Sequence, residues 1–261
     1  MGHGVRATMT ARSGPGVASS APYDAFNLGL HVGDDPSVVM AHRQSLAQAL
    51  GAQPVWLNQV HGGRVLRLSA DDVARLDQPV ADGALTTEPG VVCAVMVADC
   101  LPVLLAAPQA RGVAALHAGW RGLGGAGALG GRGIVQSGVQ ALCDAASCDP
   151  VDLKAWLGPC IGPSAFEVGA DVLQGFGVDP TGPHPRFLTQ HKAGLLTGVD
   201  GVPRWWADLP GLARDALRVL GVRDIEGGTW CTVLERARFF SFRREGVTGR
   251  QAACIWLDAG V

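Results

Sequence analysis

The chain has 261 residues, of which 48% are hydrophobic and 17% charged, and its formal net charge is −2 at pH 7. This balance gives no electrostatic reason to expect nucleic acid or an anionic membrane as a partner, and no apolar run is long enough to span a bilayer. Residues 1–16 lack the hydrophobic core of a secretion signal, and the seven cysteines show no paired spacing. We therefore expect a cytoplasmic protein with reduced thiols.

The first half of the sequence predicts one long helix among short strands. Asp35 before Pro36 is a typical helix start, and Gly51 is a typical stop after Leu50. In chain order, the other predicted elements are an edge strand at Ala7–Arg12, strands at Pro54–Val60 and Arg64–Leu68, a helical turn at Asp71–Leu76, and the turn Asp82–Thr87 leading into a short strand.

The central segment, residues 91–122, combines buried strands with polar residues. Uninterrupted apolar runs predict strands buried on both faces at Val91–Ala98, Leu101–Ala107 and Val113–Leu116. Cys100 and His117 stand at the ends of these runs, and His61 follows an earlier one. Unpaired polar groups at such positions would cost a few kcal/mol each. The three residues are therefore candidates for function.

The second half alternates helices with strands. In chain order, the pattern predicts a helix at Ile134–Ala146, a strand at Lys154–Leu157, a helix near Ala170–Phe176, an irregular stretch at 177–203, a helix at Trp206–Leu220, a strand at Val222–Gly227, an aromatic strand at Phe239–Arg244 and a last strand at Gln251–Leu257. No linker or repeat divides the chain. Interspersed elements of this kind predict a mixed α/β or α+β fold in a single domain over residues 1–261.

His61, Cys100 and His117 are a plausible metal-ligand set. Imidazole and thiolate suit Zn²⁺, and three protein ligands with an open fourth position are typical of catalytic zinc. The spacing itself is not that of a zinc finger. A metal-free Cys–His nucleophile pair needs the same residues. The third alternative is a purely structural role, with two hydrogen-bonded histidines beside a buried thiol.

Other polar features carry weaker signals. Gly125–Gly130 matches G-x-G-x-x-G, but it starts well after the preceding strand and favours a plain loop. Among the candidate anion-binding arginines, Arg121 adjoins the proposed site; the others are Arg12, Arg43, Arg243, Arg244 and Arg250. Glu167 lies in an apolar stretch and, with Asp99, is a candidate proton donor or acceptor.

Several short motifs, in this order, resemble one family. They are Asn58–Gly62, Ala81–Gly83, Ala98–Pro102, His117–Gly122, Phe239–Ser241 and Thr248–Arg250, with further similarity at Asn27–Pro36 and Leu157–Gly169. From about Arg6 to Leu257 the chain is similar to the YfiH family, whose members have been labelled polyphenol oxidase or laccase-domain proteins and peptidoglycan editing factors.

The resemblance implies an α/β sandwich of one domain, with central mixed sheets flanked by helices, and we expect a monomer. It implies a zinc ion held by His61, Cys100 and His117, a site that copper can also occupy. The implied activity is phosphorolysis of adenosine, inosine, guanosine and methylthioadenosine, with deamination of adenosine. The candidate catalytic residues are these three ligands and Arg121, and the candidate substrate-binding residues are Asn27, Arg43, Gln59, Asp82 and Glu167.

The sequence departs from the family pattern near the motifs. Gly124–Gly133 resembles a short insertion and is expected beside the site, where it bears on substrate access. Cys160 stands where the family often has Ala, and Phe166 and Phe242 stand where it often has Tyr. All three ligand positions are intact.

Three alternatives to the nucleoside enzyme follow from the same residues. A multicopper oxidase needs many histidines, some as His-x-His pairs, whereas none of the seven here are two apart. A Cys–His hydrolase acting on peptidoglycan precursors would survive chelators but not alkylation. A binding protein without activity would retain ligand affinity after Cys100→Ala.

Overall fold

The computed structural model describes residues 4–74, 77–191, 194–195 and 201–260. Within them the strands are β1 (Val5–Met9), β2 (Pro54–Val55), β3 (Val65–Arg67), β4 (Gly83–Thr86), β5 (Val92–Val97), β6 (Leu101–Ala106), β7 (Val113–Ala118), β8 (Lys154–Leu157), β9 (Glu167–Val168), β10 (Phe187–Leu188), β11 (Gln190–His191), β12 (Gly194–Leu195), β13 (Trp205–Ala207), β14 (Asp224–Gly227) and β15 (Gln251–Leu257). The helices are α1 (Pro36–Leu50), α2 (Trp120–Gly124), α3 (Ile134–Ala146), α4 (Ala170–Gly175), α5 (Leu209–Val219) and α6 (Phe242–Glu245), and 3₁₀ turns occur at Ala70–Ala74, Pro108–Ala110, Gly127–Leu129 and Pro150–Asp152.

Two mixed sheets form the centre of the described structure. The smaller has the strand order β1-β15-β5-β2, and the larger has the order β14-β8-β6-β7-β4-β3. The consecutive strands β5 and β6 belong to different sheets, so the turn between them crosses from one sheet to the other. The register of β4 against β7 pairs Gly83 with Leu116, which brings Asp82 next to His117.

The sheets stack face to face, and helices cover their outer faces. Residues such as Val95 of β5, Ile255 of β15 and Leu104 of β6 share one apolar cluster between the sheets. The outer face of the larger sheet packs against α3 and α5, whereas that of the smaller sheet packs against Leu46 of α1. Strands buried on both faces explain the uninterrupted apolar runs of the sequence. The predicted mixed α/β fold class, with helix-flanked sheets, is confirmed.

Several predicted elements are confirmed with their boundaries. Helix α1 is capped by the Asp35 side chain, which accepts from the Ser37 N–H, and it ends at Gly51 with φ +67°. The apolar pattern also gives α3, β8 and β15 their observed bounds. In these segments the local pattern and the tertiary environment favour the same structure.

Other predictions of elements are wrong. The strand predicted at Pro54–Val60 ends at Val55, and the chain beyond it is a loop. The helix predicted at Trp206–Leu220 begins at Leu209, because Trp205–Ala207 pairs with β9 and β10. Phe239–Arg244 is not a strand, since Ser241 caps the short helix α6.

The sequence suggested that all three candidate ligands stand at strand ends, and in the structure not all of them do. Cys100 lies in the turn between β5 and β6, and His117 lies within β7. His61 follows the loop after β2.

The stretch predicted as irregular contains the short strands β10, β11 and β12. Within that stretch, residues 192–193 and 196–200 lie outside the described residues. Arg75 and Leu76 of the predicted helical turn lie outside them as well. No helix among the described residues is both long and apolar enough to cross a membrane.

A half-buried ionic cluster ties the N-terminal segment to α6. Glu245 accepts a hydrogen bond from Arg12 Nη1 at 2.5 Å and one from Thr248 Oγ1 at 2.6 Å. Arg244 Nη2 lies 3.3 Å from the same carboxylate and also donates to the Phe239 carbonyl oxygen. Burial opposes ionisation of Glu245, but the bonds from Thr248 and Arg12 lower its pKa overall. Arg12 and Arg244 therefore stabilise the fold.

We expect Glu245→Gln to lower the free energy of unfolding by about 2 kcal/mol at pH 7, because it leaves two partly buried guanidinium groups without their counter-charge. The folded-state pKa is lowered, so this contribution is present above the ordinary glutamate pKa of about 4.3 and is lost as the pH falls below it. Urea denaturation at pH 7 and pH 3.5 measures both effects, with the exposed Glu226→Gln as the matched control. Equal unfolding free energies for wild type and Glu245→Gln at pH 7 would contradict this account.

Candidate metal and substrate site

Cys100 is presented by a tight turn whose shape depends on Asp99. Asp99 has φ +93°, a left-handed conformation that Asp tolerates better than most residues. Its carboxylate accepts hydrogen bonds from Thr232 Oγ1 and from the backbone N–H of Arg243, both at 2.6 Å. Its carbonyl oxygen accepts from the Ile161 N–H at 2.9 Å. Both carboxylate oxygens of Asp99 are thus engaged in holding the turn.

His117 is fixed by a buried carboxylate. The ring is only 4% exposed, and its Nδ1 lies 2.8 Å from Asp82 Oδ1. Asp82 itself is fully buried. Because Asp82 engages Nδ1, the Nε2 atom of His117 is left to act as a ligand, the arrangement seen around metal-binding histidines.

The same carboxylate shapes the loop that carries His61. Asp82 accepts the backbone N–H groups of Val60, His61 and Gly62 at 3.1, 2.8 and 2.7 Å. His61 has φ +60°, in the left-handed region. Asp82 therefore positions both histidines, although they lie 56 residues apart in the sequence.

The three candidate ligands meet at one point. Cys100 Sγ lies 3.6 Å from His61 Nε2, the two imidazole centroids are 4.8 Å apart, and the ligand atoms all lie within 4.8 Å of one another. Gly119 makes room for them, because a Cβ at that position would lie 2.6 Å from His61 Cδ2 and 3.1 Å from Cys100 Sγ.

The electrostatics of the cluster favour a thiolate. Burial opposes ionisation of Cys100, but His117 and His61 outweigh it and lower the pKa of the thiol to about 6. Burial likewise disfavours charge on His117, yet the adjacent Cys100 and Asp82 raise its pKa to about 9. In the metal-free cluster the thiolate and the imidazolium thus stabilise each other.

The donor set fits a metal ion. The Cys100 sulfur and one nitrogen from each of the two histidines converge. Asp82 binds the other ring nitrogen of His117, and Gly119 has no side chain to fill the space between the ligands. This combination of soft and borderline donors suits Zn²⁺ and copper. The cluster lies in a cavity of about 430 Å³, within the usual range for small-molecule sites.

The cavity is lined both by apolar or aromatic side chains and by basic ones. The apolar and aromatic side chains are Met96, Val97, Ala98, Trp120, Ile161, Phe166, Leu209 and Phe242, and the basic side chains apart from the cluster are His31, Arg121, Arg243 and Arg250. The Arg121 guanidinium carbon lies 4.3 Å from the centre of the Trp120 ring, and that of Arg243 lies 5.6 Å from the centre of the Phe166 ring. Such a cavity can take a ligand with a planar aromatic part and an anionic part.

The candidate substrate-binding residues occupy different places. Gln59 lines the cavity, although its amide also pairs with both backbone groups of Met96 at 2.8 Å. Asn27, Arg43, Asp82 and Glu167 are not among the lining residues. Arg43 stacks 4.2 Å above the Trp56 ring, and Glu167 faces Arg204, with Oε1 3.8 Å from Nε.

The structure adds His31 to the residues that line the cavity. His31 lies in a turn-rich segment without hydrophobic periodicity, so nothing local indicates which way its side chain faces.

The G-x-G-x-x-G segment forms a 3₁₀ turn with left-handed glycines at 125, 127 and 130, and α3 begins four residues beyond it. The predicted loop character of that segment is thereby confirmed.

Comparisons with known proteins cover nearly the whole chain. Residues 6–258 match a family model described as multi-copper polyphenol oxidoreductase laccase. The purine nucleoside phosphorylase YfiH of Escherichia coli (strain K12) is 43% identical over 257 residues, covering 97% of this chain and 94% of that protein. A protein of Pseudomonas aeruginosa, also named purine nucleoside phosphorylase, is 42% identical over 254 residues, again covering 97% and 94%.

Solved structures share the fold. A crystal structure of a Neisseria meningitidis protein superposes with a TM-score of 0.83 at 40% identity, covering 99% of this chain and 96% of that one. The crystal structure of YlmD from Geobacillus stearothermophilus gives a TM-score of 0.84 at 31% identity, covering 98% and 93%.

We expect Asp82→Asn to weaken metal affinity about 10- to 100-fold, because an amide cannot accept all four N–H donors and leaves both histidines less well oriented. Competition against a chromophoric zinc chelator measures the affinity, and Asp144→Asn, an exposed substitution on α3, is the matched control. A folded Asp82→Asn protein with wild-type zinc affinity would show that this carboxylate does not orient the ligands.

Proposed function

Because the chain belongs to the YfiH family of laccase-domain proteins, we propose that it is a purine nucleoside phosphorylase with one zinc ion at His61, Cys100 and His117. The proposed substrates are inorganic phosphate and adenosine, inosine, guanosine or methylthioadenosine, with deamination of adenosine as a further activity. Relatives that carry the name purine nucleoside phosphorylase support the phosphorolysis in this proposal.

One observation carries the proposal. The His–Cys–His cluster lines a cavity that offers aromatic side chains for a purine and guanidinium groups for phosphate. A nucleoside phosphorylase needs both kinds of contact, since one substrate is planar and apolar while the other is a small anion. A cavity of about 430 Å³ is of the order that a nucleoside with phosphate requires.

The residues of the chain have distinct roles in this proposal. Zinc, when bound, supplies Lewis-acid chemistry that neither the thiol nor the imidazoles provide. Asp82 keeps His117 in the tautomer that exposes Nε2, and Asp99 keeps Cys100 in place through its bonds to Thr232 and the backbone of Arg243. Asp99 is therefore a positioning residue rather than a proton donor.

The proposed substrate contacts follow from these two kinds of lining side chain. Phe166 and Phe242 face the cavity where a purine ring can stack, and neither offers the hydroxyl that tyrosine would add. Arg121 lies at the exposed side of the cavity, stacked on Trp120, where its guanidinium can hold a phosphate oxygen or a ribose hydroxyl. Glu167 does not line the cavity, so in this proposal its role is to pair with Arg204.

The alternative functions use the same cluster differently. A multicopper oxidase needs several copper centres, and among the described residues only one group of three or more metal-binding side chains converges. Copper can still bind there. A Cys–His hydrolase is the better alternative, because Cys100 Sγ lies 3.6 Å from His61 Nε2 and the pKa of the Cys100 thiol is lowered to about 6.

Metal removal separates the two enzymes. We expect a strong chelator to abolish phosphate-dependent release of purine base from adenosine and inosine, and stoichiometric zinc to restore it. Cys100→Ala and His117→Ala should lower turnover at least about 100-fold, since each removes a metal ligand. Cys148→Ala, which alters a thiol outside the cavity, should keep wild-type turnover. Chromatography of the released base and mass spectrometry of the bound metal give the two readouts.

The outcomes are distinct. Wild-type phosphorolysis by the metal-free protein, or by both ligand variants, would overturn the zinc phosphorylase. Turnover of a peptide substrate that survives chelation and is lost on alkylation of Cys100 would instead identify a thiol hydrolase.

A further inference from the structure

Three arginines line the cavity without a direct ion pair to a carboxylate among the described residues. Arg121, Arg243 and Arg250 line the cavity, and none of them joins the ion pairs of the described part of the chain. Asp99 also lines the cavity and its charge acts on Arg250, but both of its carboxylate oxygens accept short hydrogen bonds from Thr232 and the Arg243 backbone, not from an arginine side chain. The guanidinium groups therefore keep donors for an anion from solution.

Arg250 is held in place by one end of its guanidinium. Nη1 donates to the carbonyl oxygens of Thr248 and Gly249, each at 3.0 Å. The stem packs on Gly29, where a Cβ would come within 2.9 Å of Arg250 Cγ. Nε and Nη2 make no hydrogen bond to the described residues, so two donors of a fixed, half-buried guanidinium stay available to a ligand.

Asn27 and Arg43 hold the loop that brings His31 to the same cavity. Asn27 is fully buried, and its amide bonds to the N–H and the carbonyl of Gly29 at 2.9 and 3.2 Å. Asn27 Oδ1 also accepts the backbone N–H of Arg250 at 2.9 Å. Arg43 Nε donates to the carbonyl oxygen of Leu28 at 2.9 Å. The loop bearing His31 and the start of β15 are therefore locked together by side chains.

The electrostatics agree with this geometry. Burial, followed by the positive charge of Arg250, Arg43 and His117, lowers the pKa of His31. Burial lowers the pKa of Arg250 overall, while the nearby Cys100 and Asp99 act in the opposite direction. A bound anion adds a counter-charge that favours the charged forms of both side chains.

We propose that Arg250 and His31 form a subsite for a tetrahedral oxyanion, with inorganic phosphate as the ligand, beside Cys100 and His117. This inference rests on the proposed phosphorolysis and names the residues that hold its second substrate. Two guanidinium N–H groups and one imidazole N–H match the oxygens of phosphate. A phosphate oxygen bonds to C1′ of the nucleoside as the C1′–N9 bond breaks, and the purine leaves with that electron pair and takes a proton from water.

Titration calorimetry with inorganic phosphate tests the subsite in the metal-loaded protein. Arg250→Met keeps the stem that packs on Gly29 and removes the charge, and we expect it to raise the phosphate dissociation constant at least about tenfold. His31→Gln should raise it several-fold. Arg238→Met, which removes an exposed arginine outside the cavity, is the matched control and should bind phosphate as wild type does. Steady-state kinetics should show the rise in the KM for phosphate, with the KM for nucleoside changed less than about twofold.

Two results decide between the possibilities. Wild-type phosphate affinity in a folded Arg250→Met or in His31→Gln overturns the subsite, while phosphorolysis by wild type then leaves the proposed function standing. Phosphate binding that depends on Arg250 without any phosphorolysis supports the subsite and contradicts the proposed function. If Arg250→Met does not fold, His31→Gln carries the test alone, because the loop of His31 is held by other residues.

A parallel titration with adenosine 5′-monophosphate identifies the source of the oxyanion. We expect inorganic phosphate to bind more tightly, since the subsite adjoins the reacting centre. Loss of affinity in Arg250→Met for the nucleotide alone would contradict inorganic phosphate as the ligand.

Discussion

The site depends on one buried carboxylate. Asp82 is removed from solvent, and its two oxygens receive three backbone N–H groups and the imidazole of His117. An ionised carboxylate in such a place is stable only when its acceptors are satisfied. These contacts fix a loop without regular secondary structure and place His61 opposite a histidine of the central sheet. Without them, the three candidate ligands would not face each other.

The rest of the molecule supports that arrangement by joining distant segments. Asp99 ties the Cys100 turn to α6 and to Thr232, and Asn27 ties the His31 loop to Arg250. In each case a short polar side chain satisfies backbone groups that no strand or helix pairs. The sandwich supplies rigidity, whereas these polar side chains determine which residues reach the cavity.

The sequence predicts the layers of this fold better than the details of the site. Apolar runs identify α3 and the central strands, and cap residues identify α1, because these signals lie within the segments themselves. The start of α5 is not predictable locally, since Trp205–Ala207 becomes a strand only by pairing with Val168 and Leu188. Likewise, the contact of Asp82 with His117 requires the register of β4 against β7. The exposure of His31 to the cavity depends on side chains far away in sequence, which no local pattern reveals.

The central claim is that His61, Cys100 and His117 together bind one metal ion. X-ray absorption spectroscopy of the protein, purified without a histidine tag and carrying its native metal, tests this directly. We expect about one metal per chain with two imidazole nitrogens at about 2.0–2.1 Å and one sulfur at about 2.3 Å, the sulfur disappearing in Cys100→Ala. A spectrum without sulfur, or one that Cys100→Ala leaves unchanged, would contradict it.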